Sequence, residues 1–221
     1  MSKDNDQTDN FEALLRACLE ISLLFPEGVI YIGGIAVYLH TLNNEQARSL
    51  AETTHDADFY ISIADMADLR DIEEVTPNRR LSKHQLRKKG FEFDIYTERH
   101  SALIVPYDQV SAYSAMYDQV RVASLEHLFV LKLEAYRDRA GSVKGEKDAK
   151  DLIRIAIVAS SKKEGFNSSL VTPYLSDQHL SLIERVSRGP EFMSLARGNS
   201  KNAKSLRTQF QELEEKIRKE N

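Results

Sequence analysis

Asp56 and Asp58 are separated by one residue, and Ala57, Phe59, Ile61 and Ile63 alternate around them with Asp58, Tyr60 and Ser62. A period of two is the pattern of a half-buried strand, so both carboxylates project from one face of it. Hard divalent cations such as magnesium take oxygen ligands held in this way. A third acid, Asp94, lies in Phe91-Glu92-Phe93-Asp94-Ile95-Tyr96. Here Phe91, Phe93 and Ile95 form an apolar face, and Glu92, Asp94 and Tyr96 the other. If the two strands pair, Asp56, Asp58 and Asp94 make one carboxylate metal site. The alternative for an Asp-x-Asp pair is an exposed strand end with two solvated charges.

The elements that must position these acids can be read outward from them. Phe11, Leu14, Leu15, Cys18, Leu19 and Leu23 recur at helical spacing, which predicts a helix from Phe11 to Leu24 that ends near Pro26 and Gly28. Val29 to Ile32 form a β-prone run, and after Gly33 and Gly34 the spacing of Ile35, Ala36, Tyr38 and Leu39 becomes helical. The glycine pair is therefore a strand-to-helix turn. Such a turn lets backbone amides at a helix N-terminus approach a phosphate with no side chain in the way. A polar connection follows from Asn43 to Thr54, then the Asp-x-Asp strand, a short helix from Asp65 to Glu74, and the Asp94 strand from Phe91 to Thr97.

Val120 and Val122 suggest one more strand, and Ser124, Glu126 and His127 open a helix carrying Leu128, Leu131, Lys132 and Ala135. Helices are expected from Asp148 to Ser160, Ser176 to Arg188 and Leu206 to Lys219, with Gly189 and Pro190 between the last two. The terminal helix can pack internally or against a partner. The expected class is α+β: a mixed β-sheet flanked by helices over residues 11–123, then a helical C-terminal half over 124–221, with 1–10 a disordered leader.

Composition limits the function classes. The 221 residues are 42% hydrophobic, enough for one or two compact units. A lone cysteine, Cys18, cannot close an intrachain disulfide, and no Cys/His group has zinc-ligand spacing, so a cytoplasmic location is expected. The start of the chain is polar, unlike a signal peptide, and the apolar run from Leu125 to Leu133 is too short for a bilayer, so no membrane partner is expected. A net charge of -4 argues against a nonspecific nucleic-acid coat protein. Arg79, Arg80, Lys83, Arg87, Lys88 and Lys89 form a local basic run; a solvated helix face is favoured for it over an anion-binding surface.

The order of these motifs resembles the nucleotidyltransferase superfamily, whose fold is of the polymerase-beta type. The residues are Tyr-Ile-Gly-Gly-Ile-Ala-Val-Tyr-Leu-His at Tyr31 to His40, Thr-Thr-His-Asp-Ala-Asp-Phe-Tyr-Ile-Ser at Thr53 to Ser62, and Asp94. The segment from Ser124 to Arg139, with Lys147-Asp148 and Asp151-Leu152, is similar to the helical signature of bacterial AbiEii-type nucleotidyltransferase toxins. Ile35 stands where related enzymes often carry Ser or Thr, and the connection from Leu42 to Thr53 is longer than in relatives.

The resemblance implies transfer of a nucleoside monophosphate from a nucleoside triphosphate such as ATP to an acceptor, with pyrophosphate leaving. Asp56 and Asp58 would bind the nucleotide-carrying magnesium ion, and with Asp94 a second ion that activates the attacking hydroxyl. Asp94 would also serve as general base. Gly33 and Gly34 would hold phosphate, and Lys132 and Arg137 would bind nucleotide; a surface lysine on an amphipathic helix is the alternative for Lys132. Asp148 and Asp151 are expected to reach Arg137 or Arg139 and clamp two helices, or Asp148 to contact nucleotide. His40 and His55 read as hydrogen-bonded supports. The implied acceptor is RNA, such as tRNA, in a toxin-antitoxin or phage-defence system with a cognate antitoxin. A small-molecule acceptor, as in antibiotic-modifying enzymes, and a non-catalytic binding relative are the other readings.

Overall fold

The computed structural model describes residues 2–99, 103–162 and 165–220, with side chains from residue 9 onward. The chain divides into two compact units, Met1–Ala36 with Glu52–Ser124, and Val37–Ala51 with Leu125–Asn221.

The first unit is built on a mixed seven-stranded sheet. Its strands are β1 (Val29–Ile32), β2 (Asp56–Ile61), β3 (Val75–Asn78), β4 (Lys83–Lys88), β5 (Phe91–Thr97), β6 (Ala115–Tyr117) and β7 (Val120–Val122), in the order β3-β4-β5-β2-β1-β7-β6. β2 runs parallel to β5 and antiparallel to β1, and β1 runs parallel to β7. All four residues of β1, an apolar run inside the sheet between β2 and β7, are buried. One face carries the chain of rings Tyr31, Phe59 and Phe93, with centroids 5.6 and 6.3 Å apart. Helix α1 (Ser2–Leu24) buries Leu14, Cys18 and Ile21, and the Tyr31 hydroxyl donates to the Cys18 carbonyl at 2.9 Å, so helix and sheet share this core. Residues 2–10, predicted as a disordered leader, continue the backbone of α1.

Two short helices complete the unit, α3 (Ile63–Ile72) and α4 (Tyr107–Ala112), and α2 (Gly33–Leu42) carries the chain onward from β1. Ser62 caps α3 by accepting from the Asp65 amide at 3.1 Å.

The basic run is not a helix face. Arg79–Leu81 form a single 3-10 turn, and from Lys83 the chain is β4, joined to β5 by the two-residue loop Lys89-Gly90. Both loop residues have positive φ, +53° and +86°, the mirror-image turn whose twist matches paired strands. Charged residues on both faces of β4 hide its period of two, and Lys-Gly is a weak turn signal. The edge strand β3, with Pro77 inside it, escapes sequence reading for a related reason.

The second unit is helical: α5 (Leu125–Arg139), α6 (Val143–Ser161), α7 (Asp177–Ser187), α8 (Glu191–Leu195) and α9 (Ser200–Glu220). Nine consecutive residues of α5, Leu125 to Leu133, are buried, and α6 packs along it. The helix predicted from Asp148 to Ser160 is longer, because Ser142 accepts from the Gly145 amide at 3.1 Å and caps it so that it starts at Val143, five residues before Asp148. α9 turns Ala203, Phe210, Leu213 and Ile217 into the core of its own unit. Among the described residues, no helix is long and apolar enough to cross a membrane.

Candidate active site

The pairing register brings the carboxylates together. Asp58 lies directly opposite Asp94 across the parallel pair β2 and β5, and Asp56 lies opposite Glu92. On the other side of β2, Asp58 is opposite Ile32, the last residue of β1 before the glycines. Gly33 has a φ of +64°, and a Cβ built on it would lie 2.3 Å from Oδ2 of Asp58. Only glycine leaves that space to the carboxylate. The next glycine, Gly34, lies in the first turn of α2 beside Thr54, whose side-chain atoms lie 3.0 to 3.2 Å from where its Cβ would be.

Each outer acid has a neighbour of its own. The buried Thr54 hydroxyl donates to Asp56 Oδ1 at 2.8 Å, although Asp56 itself is exposed. Asp94, half-buried, pairs through Oδ2 with the Lys83 ammonium and accepts at Oδ1 from Gln85 Nε2 at 3.2 Å. Thr54, Lys83 and Gln85 are residues that sequence reasoning missed as parts of this face. Thr54 was visible next to the acidic pair, and Lys83 in the basic run, but their partners come from the fold.

The donors suit a magnesium-sized cation in type, being hard carboxylate oxygens, and in register, with Asp58 common to both pairs. Among the described residues, however, no three His, Cys, Asp or Glu side chains gather into a ready-made ligand group. Thr54 and Lys83 engage the outer two acids instead.

Three more residues of the basic run pair with acids of the chain. Arg87 pairs with Glu92 at 3.3 Å, Lys88 with Glu73 and Lys89 with Glu20, while Arg79 and Arg80 are exposed.

Lys132 and Arg137 belong to the second unit. Lys132 is buried, not on the surface, and its ammonium pairs with Asp151 Oδ2 at 2.7 Å and Asp148 Oδ1 at 3.5 Å. Arg139 grips Asp148 through two bonds of 2.6 and 3.0 Å, and Arg154 donates to Asp151 at 2.8 Å and to the Leu50 carbonyl at 2.8 Å. The clamp between α5 and α6 thus uses Arg139. Arg137 stays outside it and pairs with Glu134 at 2.5 Å and Asp138 at 3.4 Å. Burial pushes the Asp151 carboxyl up, but Lys132 and then Arg154 overcome this and hold it below the ordinary carboxylate range. His40 is buried and His55 exposed. His179, which drew no attention in the sequence, accepts from the Ser176 amide at Nδ1, so its Nε2 proton goes to Glu134 at 2.8 Å.

No protein-family model and no curated protein matches this chain. Solved structures do. A protein described as a nucleotidyltransferase from H. pylori matches with a TM-score of 0.53 at 16% identity, over 100% of this chain and 99% of that one. JHP933 from Helicobacter pylori matches with a TM-score of 0.51 at 18% identity, over 97% and 94%. An antigenic nucleotidyltransferase-like protein from Paracoccidioides brasiliensis matches with a TM-score of 0.51 at 15% identity, over 87% and 94%. The fold of this chain is therefore that of nucleotidyltransferase-like proteins.

Proposed function

We propose that the protein is a metal-dependent nucleotidyltransferase whose chemistry is carried by Asp56, Asp58 and Asp94. The observation that carries this reading is the opposition of Asp58 and Asp94 across parallel strands, beside a glycine whose side chain would collide with Asp58. Asp56 and Asp58 would hold magnesium. When bound, the metal would supply positive charge to the triphosphate and fix its orientation.

In this reading the acceptor hydroxyl attacks the α-phosphorus of a nucleoside triphosphate, an oxygen–phosphorus bond forms, and the bond to the bridging oxygen breaks. Pyrophosphate leaves with the electron pair, and Asp94 takes the hydroxyl proton. Gly33 and Gly34 would hold phosphate through the backbone amides at the start of α2. Lys132 and Arg137 are proposed as nucleotide-binding cations, a role for which Lys132 would exchange part of its contact with Asp148. The proposed acceptor is RNA, such as tRNA, with the protein the toxin of a toxin-antitoxin or phage-defence pair. That part rests on the AbiEii-like helical segment alone, since Lys83, Arg87, Lys88 and Lys89 are already paired with acids of this chain.

Incubation with each α-labelled nucleoside triphosphate, magnesium and total RNA tests the proposal. Label should appear in RNA, and Asp58→Asn should abolish its transfer while leaving the circular dichroism spectrum intact. Label in a small-molecule fraction would keep the chemistry and move the acceptor. Absence of transfer, together with no thermal stabilisation by nucleotide plus metal, would remove the enzyme reading.

A further inference from the structure

Lys83 differs from its neighbours in the basic run by where its partner stands. The pairs of Lys83 with Asp94 and of Lys88 with Glu73 are both shielded, 12% and 23% exposed for the first and 18% and 21% for the second, but only the partner of Lys83 is an acid of the carboxylate face. The hairpin register accounts for this. Gln85 is directly opposite Asp94, and Lys83, two residues away on the same strand, shares its face, so both reach the same carboxylate.

The charges on this face then count differently. Lys83 places one fixed positive charge on the carboxylate of Asp94, the acid opposite Asp58. A second divalent ion on Asp94 would have to displace a shielded ammonium or sit beside it against like-charge repulsion. This argument rests on the proposed carboxylate site and changes its ion count.

We infer that Lys83 is the fixed second cation of the carboxylate site: it occupies the place on Asp94 that a second metal ion would take, and the site holds one divalent ion, on Asp56 and Asp58. Lys83 is then a positioning residue. It holds the Asp94 carboxylate against β4 and supplies the charge that other sites of this kind draw from a bound ion. Gln85 keeps the second oxygen of Asp94 in line.

The test is manganese binding to the full chain, measured by equilibrium dialysis and by low-temperature electron paramagnetic resonance, in which two neighbouring ions show spin coupling. The wild-type chain should bind one ion without coupling. Lys83→Met should double the stoichiometry to two coupled ions, and Lys83→Arg should return it to one. If Lys83→Met does not fold by circular dichroism, Lys83→Gln takes its place. Two ions in the wild type, or one in the neutral variant, overturns the inference. Asp58→Asn separates the two layers of argument. It should lose the ion; if it binds as the wild type does, the carboxylate site falls and the inference with it. If it loses the ion while the wild type binds two, only the role of Lys83 falls.

Discussion

Gly33 and Asp58 compete for the same space: a Cβ on residue 33 would stand 2.3 Å from Oδ2 of Asp58, on a backbone with a φ of +64°. The turn that ends β1 and the acid on β2 are therefore one structural unit. Changing either one disturbs the other.

Gly33→Ala should be among the most damaging single changes in the first unit. The left-handed backbone alone costs about 1–3 kcal/mol for a residue with a Cβ, and the clash with Asp58 adds to it. Gly90→Ala is the control, since its φ is +86° but nothing lies within 4 Å of its Cβ. Urea unfolding of both variants should show the larger loss for Gly33→Ala. An equal loss would mean that Asp58 moves aside freely.

The buried network of the second unit makes a stability prediction. Asp151 meets Lys132 and Arg154 with side chains 4%, 9% and 3% exposed. Asp151→Ala leaves both cations without their shared partner and should cost about 3–5 kcal/mol. Arg137 is itself 33% exposed and its partners Glu134 and Asp138 lie on its own helix, so Arg137→Ala should cost under about 1 kcal/mol. Denaturant midpoints of the two variants distinguish these outcomes.

Stability should fall in two separate steps as pH drops. Burial holds the His127 imidazole below its ordinary range, although Glu126 opposes the shift. The unfolded chain therefore takes up that proton first, so stability is full above about pH 6.5 and declines as pH falls from there towards the lower folded value. Asp151 is depressed as a carboxyl, so its contribution is present above about pH 4 and disappears as pH falls through its folded value. His127→Phe should flatten the upper step and Asp151→Asn the lower one in denaturation profiles taken across pH. An unchanged upper step in His127→Phe would assign it to another group.

Cys18 should be inert in the folded chain. Burial pushes its thiol up to about 12, the hydrogen bond with Tyr31 notwithstanding, so the thiolate is scarce at neutral pH as well as shielded. A chromogenic disulfide reagent at pH 8 should react only after unfolding in guanidinium. Rapid reaction of the native protein would show that α1 separates from the sheet.

The parts of the fold legible in the sequence are those with one clean period. β1, β2 and β5 show a short apolar run or strict alternation, and α5 and α7 show helical spacing bounded by polar caps or Gly-Pro; α9 shows the spacing from Leu206, although the helix itself begins at Ser200. What escaped reading lacks that contrast. β4 has charges on both faces, β3 is a short edge strand containing Pro77, and the true start of α6 is set by one serine hydroxyl.

The aspartates divide along the same line. Their types, their spacing and the glycine turn upstream are properties of the sequence, because strand geometry places alternate residues on one face whatever lies beside them. That Asp94 stands opposite Asp58, that Gly33 must lack a side chain to admit that acid, and that Lys83 already occupies Asp94 were decided only by the tertiary structure. Register between distant strands depends on which hairpins and turns close, and these contacts join residues too far apart in the chain for any local pattern to record them.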